Sequence, residues 1–348
     1  MSEEALKEFS GLDIEPLIAD RPAEPRDASR LLAVDRASGA LAHRRFGDLA
    51  GLLGPRDLLV LNRSAVWKAR LPAAKLTGGK SEILLMAPEG RDYRNWTGLC
   101  RKIQPGQTLN CAGGAAAECL ARNPDGSYTF RFSVPVDEAY LAAHGGVPLP
   151  QYILKARQRR GAQAPADEER YQTVYAAEAG SIAAHTAGFH FTPELFKKLD
   201  AAGVKRAFVT LHIGWGTFKP VRAEDPAAHV MMEEACSVSE EAAAAINEHR
   251  AAGGRVIAVG TSSMRTLETF SDESGKVLPG GGKAGLFIKP GYKFKVAGAF
   301  ITNLHVPDSA PLYMTAAFAG RALLFKAYTE AVKEKYRFYS YGDSMLIC

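Results

Sequence analysis

The sequence predicts an α/β protein in which a larger α/β domain, built on a mixed or parallel sheet or barrel, carries an inserted small all-β barrel domain. In the second half of the chain, helical and strand-like segments alternate, which is typical of an α/β layer. Between about residues 68 and 136, short β-type runs follow one another at roughly ten-residue intervals, which favours a small all-β unit. The length of 348 residues leaves room for two domains.

The alternation of helix and strand begins at Thr192, an N-cap residue with proline directly after it. Gly203 ends this helix, and the β-rich run 204–211 follows. The pattern then repeats, because Ser239 caps a second helix that leads into the buried strand "RVIAVG" and the helix "TSSMRTLETF". The order predicts parallel strands joined by helices.

Two unusual stretches directly follow predicted strands. "HIGWGTF" at 212–218 combines a histidine, two glycines and aromatic residues, and "GTSSMRT" at 260–266 opens a helix with a glycine. In α/β layers, ligands bind outside the carboxyl ends of the strands. We therefore expect the functional site to include both stretches.

The β-type runs "SEILLMAP", "NWTGLCRKI", "QTLNC" and "SYTFRFSV" are separated by turns rich in Gly, Pro and Asn. Only the alanine-rich "GGAAAECLARN" among them has helical character. Because the strand "RDLLVLN" before them and the helices after them suit the α/β layer, the β unit is predicted as an insert. The predicted domains are residues 1–62 with 149–348 for the α/β part and 63–148 for the barrel.

The segment 154–170, "LKARQRRGAQAPADEER", mixes Arg, Gly, Pro and Ala without apolar periodicity. Such a composition buries little apolar area, and it predicts a mobile basic loop.

Composition narrows the class of protein. The hydrophobic fraction of 47% and the charged fraction of 23% are those of a globular protein, and no apolar run approaches the roughly 18 to 20 residues of a membrane helix. We expect a cytoplasmic protein that is a monomer or weak homo-oligomer.

Five cysteines without C-x-x-C spacing indicate free thiols and no metal site. The net charge of +5 permits a polyanionic partner.

Seven motifs occur in the same order as in a known family. They are "YQTVYA", "TAGFHFTPEL", "TLHIGWGTFKPV", "VIAVGTSSMRTLE", "PGYKFKV" with "TNLHVP", "AFAG" and "EKYRFYSYGDSM". The chain resembles the S-adenosylmethionine:tRNA ribosyltransferase-isomerase family of queuosine biosynthesis over essentially its whole length. The resemblance implies an α/β domain with an inserted β-barrel, as the patterns above also predict.

The resemblance also implies a reaction. The family transfers the ribosyl part of S-adenosylmethionine to 7-aminomethyl-7-deazaguanine in the tRNA anticodon stem-loop and rearranges it to an epoxycyclopentane, with release of adenine and methionine. S-adenosylmethionine is a consumed cosubstrate, and no metal is expected. Such a site needs a base beside the sulfonium, a donor for the departing adenine and a base for the attacking amine.

Three histidines are candidates for proton transfer, since the histidine pKa lies near neutrality: His190, His212 and His305. A hydrogen-bonded structural role is the alternative for each. The candidate cosubstrate-binding residues are Gly188, Gly214, Gly216, Thr217, Phe218, Gly260, Thr261, Arg265 and Asn303. Arg265 and the amides at Gly260 and Thr261 would bind the methionine carboxylate, unless Arg265 is simply a solvated surface residue.

Aromatic residues are candidates for contacts with bases. Trp215 and Phe218 would stack on adenine or on a flipped base, although aromatic residues after a strand commonly pack in the core. Contacts with tRNA are predicted for Tyr171, Tyr175, Tyr336, Arg337 and Tyr341, with packing as the alternative.

Several positions depart from the family pattern. Ala65 stands in place of an arginine, His185 of a proline, Met232 of a histidine, Lys289 of a tyrosine and Asp308 of a lysine. These changes lie at or beside predicted site loops. Three functions therefore remain open: the family reaction on tRNA, use of S-adenosylmethionine with a small deazapurine or another acceptor, and RNA binding without catalysis.

Overall fold

The computed structural model describes residues 6–161, 167–214, 216 and 231–348. Strands and helices in this part of the chain are numbered in chain order. The strands are β1 (Arg30–Val34), β2 (Leu41–Arg45), β3 (Asp57–Asn62), β4 (Ser64–Val66), β5 (Arg70–Lys75), β6 (Lys80–Glu89), β7 (Asn95–Cys100), β8 (Thr108–Cys111), β9 (Ala116–Arg122), β10 (Tyr128–Phe132), β11 (Glu178–Ser181), β12 (Lys205–Leu211), β13 (Glu234–Val238), β14 (Arg255–Val259), β15 (Gly280–Ala284), β16 (Ala299–Asn303) and β17 (Ser344–Ile347).

The α-helices are α1 (Leu49–Leu52), α2 (Glu138–His144), α3 (Gln151–Arg160), α4 (Asp167–Arg170), α5 (Pro193–Ala201), α6 (Glu240–Ala251), α7 (Gly260–Thr269), α8 (Ala310–Ala319) and α9 (Arg321–Lys333). The predicted N-caps are confirmed, because the side chain of Thr192 accepts from the amide of Leu195 and that of Ser239 from the amide of Ala242.

A nine-stranded mixed sheet forms the centre of the α/β part, in the order β15-β13-β12-β3-β14-β16-β17-β1-β2. The strands β12 and β14 both run parallel to β3, and β16 runs parallel to β14. The predicted mixed sheet with helical connections is thereby confirmed. The parallel direction brings the carboxyl ends of β14 and β16 to one edge of the sheet.

The central strand β3 is buried over its whole length. Because side chains alternate between the faces of a strand, Leu58 and Val60 pack into one apolar cluster, and Leu59 and Leu61 into another. The first cluster includes apolar residues of α6, α7, α8 and α9, and the second includes those of α5. Helices therefore cover both faces of the sheet and leave its strand ends for the site.

Six strands form a closed barrel in the order β10-β7-β6-β5-β8-β9, with antiparallel pairing between neighbours. The predicted all-β barrel is confirmed, and its strands lie between residues 70 and 132. The proposed domain boundaries at 62/63 and 148/149 remain a prediction. The helical character assigned to the alanine-rich run is wrong, since Ala117 and Cys119 alternate into the barrel core as β9 pairs with β8 and β10.

The predicted mobile basic loop at 154–170 is also wrong where the structure describes it. Residues 151–160 form α3, which buries Ile153 and Ala156. The guanidinium of Arg157 donates to both carboxylate oxygens of Asp167, at 2.5 and 2.7 Å. A buried, bidentate ion pair offsets the poor apolar periodicity of the segment. Residues 162–166 lie outside the described part of the chain.

Candidate functional site

A cleft of about 620 Å³ lies where the strand ends of the large sheet meet the barrel. Both β14 and β16 end at it, and the barrel contributes Arg70, Leu84 and Leu99. The remaining walls come from residues 148–152, 183–187 and 305–309. The cleft is therefore at the position that the strand-end argument predicts.

Four of the residues predicted for catalysis or cosubstrate binding line this cleft, namely Gly260, Thr261, Asn303 and His305, whereas His190, His212 and Arg265 are not among the lining residues. Gly260 has φ +82°, a conformation that suits glycine, and with it the chain turns sharply from β14 into α7. The first turn of α7 therefore directs backbone amides towards the strand-end edge. Such amides are suited to an anionic group of a ligand.

His190 lies behind Asn303 and is not among the lining residues. Asn303 Nδ2 donates to the carbonyl of Tyr339 at 3.0 Å, so its Oδ1 accepts from His190 Nε2 at 3.1 Å. His190 Nδ1 then accepts from the hydroxyl of Ser29 at 2.7 Å. Burial lowers the pKa of His190 to about 4, partly opposed by the hydrogen bond with Asn303. This arrangement holds a neutral imidazole that positions the Asn303 amide.

His212 follows β12 and belongs to a chain of polar groups. Its Nδ1 lies 2.8 Å from Ser64 Oγ, which lies 2.7 Å from Ser181 Oγ. Gly180 permits the close approach of the ring, because a Cβ atom there would lie 2.5 Å from His212 Nδ1. Burial lowers the pKa of His212, and the negative charge of Glu178 opposes this. His212 is thus oriented and unprotonated at neutral pH, and its neighbour Ile213 lines the cleft.

His305 lines the cleft beyond β16. Its Nε2 lies 2.7 Å from the hydroxyl of Thr302, and its backbone amide donates to the hydroxyl of Tyr328 at 2.7 Å. Burial lowers the pKa of His305 to about 3. The imidazole is therefore neutral, with one ring nitrogen committed to Thr302.

His185 lines the cleft, as His305 does. It was not among the residues predicted for the site. It is 4% exposed, and neither ring nitrogen has a hydrogen-bond partner among the described residues. Burial lowers its pKa to about 3. The available sequence signal was its departure from the family pattern, where a proline is usual. Asp308, a second departure, lines the same cleft, whereas Ala65, Met232 and Lys289 do not.

The structure brings Arg265 to Glu234 and not to the cleft. Its Nη1 forms a buried ion pair with Glu234 Oε2, and its Nη2 donates to the carbonyl of Ala284 at 2.6 Å. The other oxygen of Glu234 accepts from the amide of Gly214 at 2.8 Å. Arg265 and Glu234 therefore join α7 to the segment after β12. A role of Arg265 in holding the methionine carboxylate stays a prediction.

Two of the predicted glycines are explained by close packing. A Cβ atom at Gly188 would lie 2.1 Å from the hydroxyl of Tyr175, and one at Gly216 would lie 2.8 Å from Met232 Sδ. Gly214 has more room, with Glu234 the nearest at 3.8 Å. The predicted Trp215, Thr217 and Phe218 lie outside the described residues.

The predicted tRNA contacts of Tyr336 and Tyr341 are wrong, because 0% and 2% of these residues are exposed. The Tyr341 hydroxyl donates to Asp167, and that of Tyr336 bonds with His43.

The other three predicted tRNA contacts have different surroundings. Tyr171 is 1% exposed and forms part of the cleft wall. Arg337 donates to Asp343 at 3.2 Å. Tyr175 is partly buried, and its hydroxyl has no hydrogen-bond partner in the described part of the chain. For Arg337 and Tyr175, contact with tRNA stays a prediction.

Within the described ranges, no group of three or more His, Cys, Asp or Glu side chains is arranged to hold a metal ion. None of the helices in this part of the chain has the length and apolar character of a membrane span.

A family model described as "Queuosine biosynthesis protein" matches residues 12–347. The chain belongs to this family. Among its relatives, the S-adenosylmethionine:tRNA ribosyltransferase-isomerase of Symbiobacterium thermophilum is 48% identical over 95% of this chain and 96% of its own. The enzyme of the same name from Pelobacter propionicus is 45% identical, over 98% of this chain and 99% of its own.

A crystal structure of S-adenosylmethionine tRNA ribosyltransferase from Thermotoga maritima is also similar, with a TM-score of 0.54 and 36% sequence identity. The similarity covers 95% of this chain and 96% of that one. The queuosine-family assignment therefore agrees between sequence and fold over nearly the whole chain.

Proposed function

We propose that this protein transfers and isomerises the ribosyl part of S-adenosylmethionine onto 7-aminomethyl-7-deazaguanine in the tRNA anticodon. The observation that carries the proposal is the strand-end cleft, which collects Gly260, Thr261, Asn303 and His305 in a chain that belongs to the queuosine family. The products are epoxyqueuosine in tRNA, free adenine and free methionine.

In the proposed reaction, a base removes a proton from the carbon beside the sulfonium, which the positive sulfur acidifies. The electron pair left on that carbon forms a double bond to the neighbouring ring carbon as the ring carbon–oxygen bond breaks. The oxygen forms a carbonyl at the carbon that carries adenine, and adenine leaves with the bonding electrons and takes up a proton. The amine of the acceptor then bonds to that carbonyl carbon and gives its proton to a base, and methionine leaves with the carbon–sulfur electrons when an oxygen of the skeleton bonds to the same carbon and closes the epoxide. The chain must therefore supply a neutral base, a donor to adenine and a dry cavity.

His212 is our candidate for the base. The bond from Nδ1 to Ser64 fixes the ring and leaves Nε2 as the group that exchanges a proton. Its lowered pKa keeps the imidazole unprotonated at neutral pH, as a base requires. In this proposal Asn303, held by His190, and the first turn of α7 bind the cosubstrate.

The proposal includes tRNA as partner, S-adenosylmethionine as consumed cosubstrate, no metal and a cytoplasmic location, where tRNA is found. Lys155 is exposed on α3 and lines the cleft, so it is suited to a phosphate of the bound nucleic acid.

A second candidate function is transfer from S-adenosylmethionine to a different acceptor, such as a small deazapurine. The observation that favours it is that two departures from the family pattern, His185 and Asp308, both line the cleft. An aspartate where a lysine is usual changes the charge presented to the acceptor.

One assay separates these functions. The protein is incubated with S-adenosylmethionine and either tRNA carrying 7-aminomethyl-7-deazaguanine or the free deazapurine, and adenine release is followed. We expect release with the modified tRNA. Release with the free base alone would favour the second function, and release with neither would contradict both.

The His212→Ala variant tests the base. We expect single-turnover adenine release to slow at least about 100-fold, the low end for removal of a positioned acid or base. The dissociation constant for S-adenosylmethionine and the melting temperature should stay near wild type. His190→Ala is the matched comparison: if only His190→Ala abolishes release, and its affinity for S-adenosylmethionine is unchanged, the proton-transfer role belongs to the 186–190 segment.

A further inference from the structure

His185 is a buried polar side chain whose hydrogen-bonding groups are unused. The imidazole is 4% exposed, and both Nδ1 and Nε2 are without a partner among the described residues. Buried polar groups in folded proteins are hydrogen-bonded in the large majority of cases, because an unpaired one is costly. A ligand in the cleft that His185 lines would supply the missing partner.

A second buried polar group without a hydrogen-bond partner among the described residues lies in the same wall of the cleft. Ser262 is 4% exposed, lines the cleft, and its hydroxyl has no partner within the described ranges. The segment after His185 packs against the start of α7, because a Cβ atom at Gly260 would lie 3.5 Å from Ala187 Cβ and 3.8 Å from Ser262 Oγ. The two unpaired groups therefore belong to one region of the cleft.

The side chains in this region of the cleft suit one part of S-adenosylmethionine better than the others. The neighbouring wall is apolar, formed by Ala183, Ala184, Ala187 and Ile213. Burial keeps the imidazole neutral, so it offers one N–H donor and one nitrogen acceptor and no charge. The sulfonium and ammonium groups of the cosubstrate are cations that suit anionic partners, and its carboxylate suits a cation or the amides at a helix start. Adenine, in contrast, has flat apolar faces and an edge of donors and acceptors.

We infer that His185 is a binding residue for adenine, whose edge it engages by hydrogen bonds together with the hydroxyl of Ser262. The inference rests on the proposed function, because it takes S-adenosylmethionine as the ligand. Adenine is also the leaving group, so a donor on its ring would stabilise the departing base. His185 thus contributes to recognition at a position where the family pattern has a proline.

The test compares His185→Phe with wild type by calorimetry, with three probes: S-adenosylmethionine, 5′-methylthioadenosine and methionine. Phenylalanine keeps a flat ring of similar size and removes both nitrogens. We expect the dissociation constants for the two adenine-containing probes to rise by the same factor, about threefold to tenfold for one hydrogen bond. The response to methionine should not change. The matched control is His144→Phe, the same change at an exposed histidine outside the cleft.

Three further measurements keep the test decisive. We expect the ring ¹⁵N resonances of His185 in the unaltered protein to shift on addition of 5′-methylthioadenosine. His185→Asn, which retains a donor and an acceptor, should recover part of the affinity. The melting temperature of His185→Phe without ligand should not fall, since no bond inside the protein is lost.

Unchanged affinity of His185→Phe for both adenine-containing probes, or a loss for S-adenosylmethionine alone, would overturn the assignment to adenine. A lowered melting temperature would also overturn it, because the imidazole would then be bonded within the protein. If wild type binds both probes but releases no adenine with any acceptor, the proposed reaction is wrong while the binding role stands. If wild type binds neither probe, both proposals are wrong.

Discussion

The interior of the barrel and the strand-end cleft bury side chains of opposite character. The barrel core is apolar, with Leu71, Ile83, Trp96 and Phe130 all 0% exposed. Its buried polar residue Ser127 is fully engaged, with bonds to Asp125 at 2.7 Å and from Asn123 at 2.9 Å. In the cleft wall, His185 and Ser262 have buried polar atoms that lack partners in the described part of the chain, as has Ser263 behind the wall in α7. In the barrel strands, the one such atom among the described residues is Asn95 Oδ1.

The difference indicates that the buried side chains of the two regions serve different purposes, stability in the barrel and ligand binding at the cleft. Apolar burial and satisfied hydrogen bonds stabilise a fold, whereas each unpaired buried polar group costs about 1 to 3 kcal/mol. A region that retains such groups is less stable than it would be with apolar side chains of the same shape. Binding sites commonly carry this cost, because the ligand completes the hydrogen bonds.

The largest effect on stability is expected in the barrel. Trp96→Ala should lower the free energy of unfolding by about 3 to 5 kcal/mol, the range for removal of a large buried aromatic side chain. Trp96 packs edge-to-face against Trp67, with ring centroids 5.2 Å apart, and its indole N–H donates to the carbonyl of Tyr93. Calorimetry and far-UV circular dichroism measure the change.

Leu76→Ala is the control for the barrel, since Leu76 is 71% exposed and its truncation should change stability by less than about 0.5 kcal/mol. If Trp96→Ala were as mild as the control, the barrel core would not be the tightly packed region that the comparison requires.

The second effect is a dependence of the free energy of unfolding on pH, which arises from buried histidines at and behind the cleft. His185, His190 and His305 have folded-state pKa values of about 3, about 4 and about 3, below the ordinary value of 6.5. The unfolded chain therefore binds more protons below pH 6.5, and stability falls as the pH drops from 6.5 towards 4. Each histidine contributes about 1.4 kcal/mol per pH unit, or about 4 kcal/mol per unit for the three. The barrel segment 70–132 contains no histidine.

Denaturant unfolding at pH 6.5, 5.5 and 4.5 measures this slope. His185→Phe should remove about 1.4 kcal/mol per pH unit of it. A slope that His185→Phe does not alter would mean that His185 titrates normally in the folded protein.

The smallest effect compares two buried serines. Ser263 is 0% exposed in α7 without a partner for its hydroxyl among the described residues, so Ser263→Ala should leave stability unchanged or raise it by up to about 1 kcal/mol. Ser127→Ala in the barrel breaks existing bonds and should cost about 1 kcal/mol. Equal losses at both sites would contradict the proposed difference between the regions.

The fold class and the place of the candidate cleft could be predicted from the sequence. The caps at Thr192 and Ser239 and the alternation around β14 are local patterns, set by residues a few positions apart, and the structure confirms them. That the carboxyl ends of β12 and β14 lie at one edge follows from the predicted parallel order. These features need no knowledge of distant partners.

The tertiary structure decided which groups work together. His190 meets Asn303 across 113 positions, and Ser64 meets His212 across 148. Arg157, which was predicted to lie in a mobile loop, forms an ion pair with Asp167, and Arg265, a candidate for binding the methionine carboxylate, forms one with Glu234. A side chain's charge state and free hydrogen-bonding groups depend on burial and on neighbours that folding brings together, and for that reason the unpaired imidazole of His185 emerged from the structure alone.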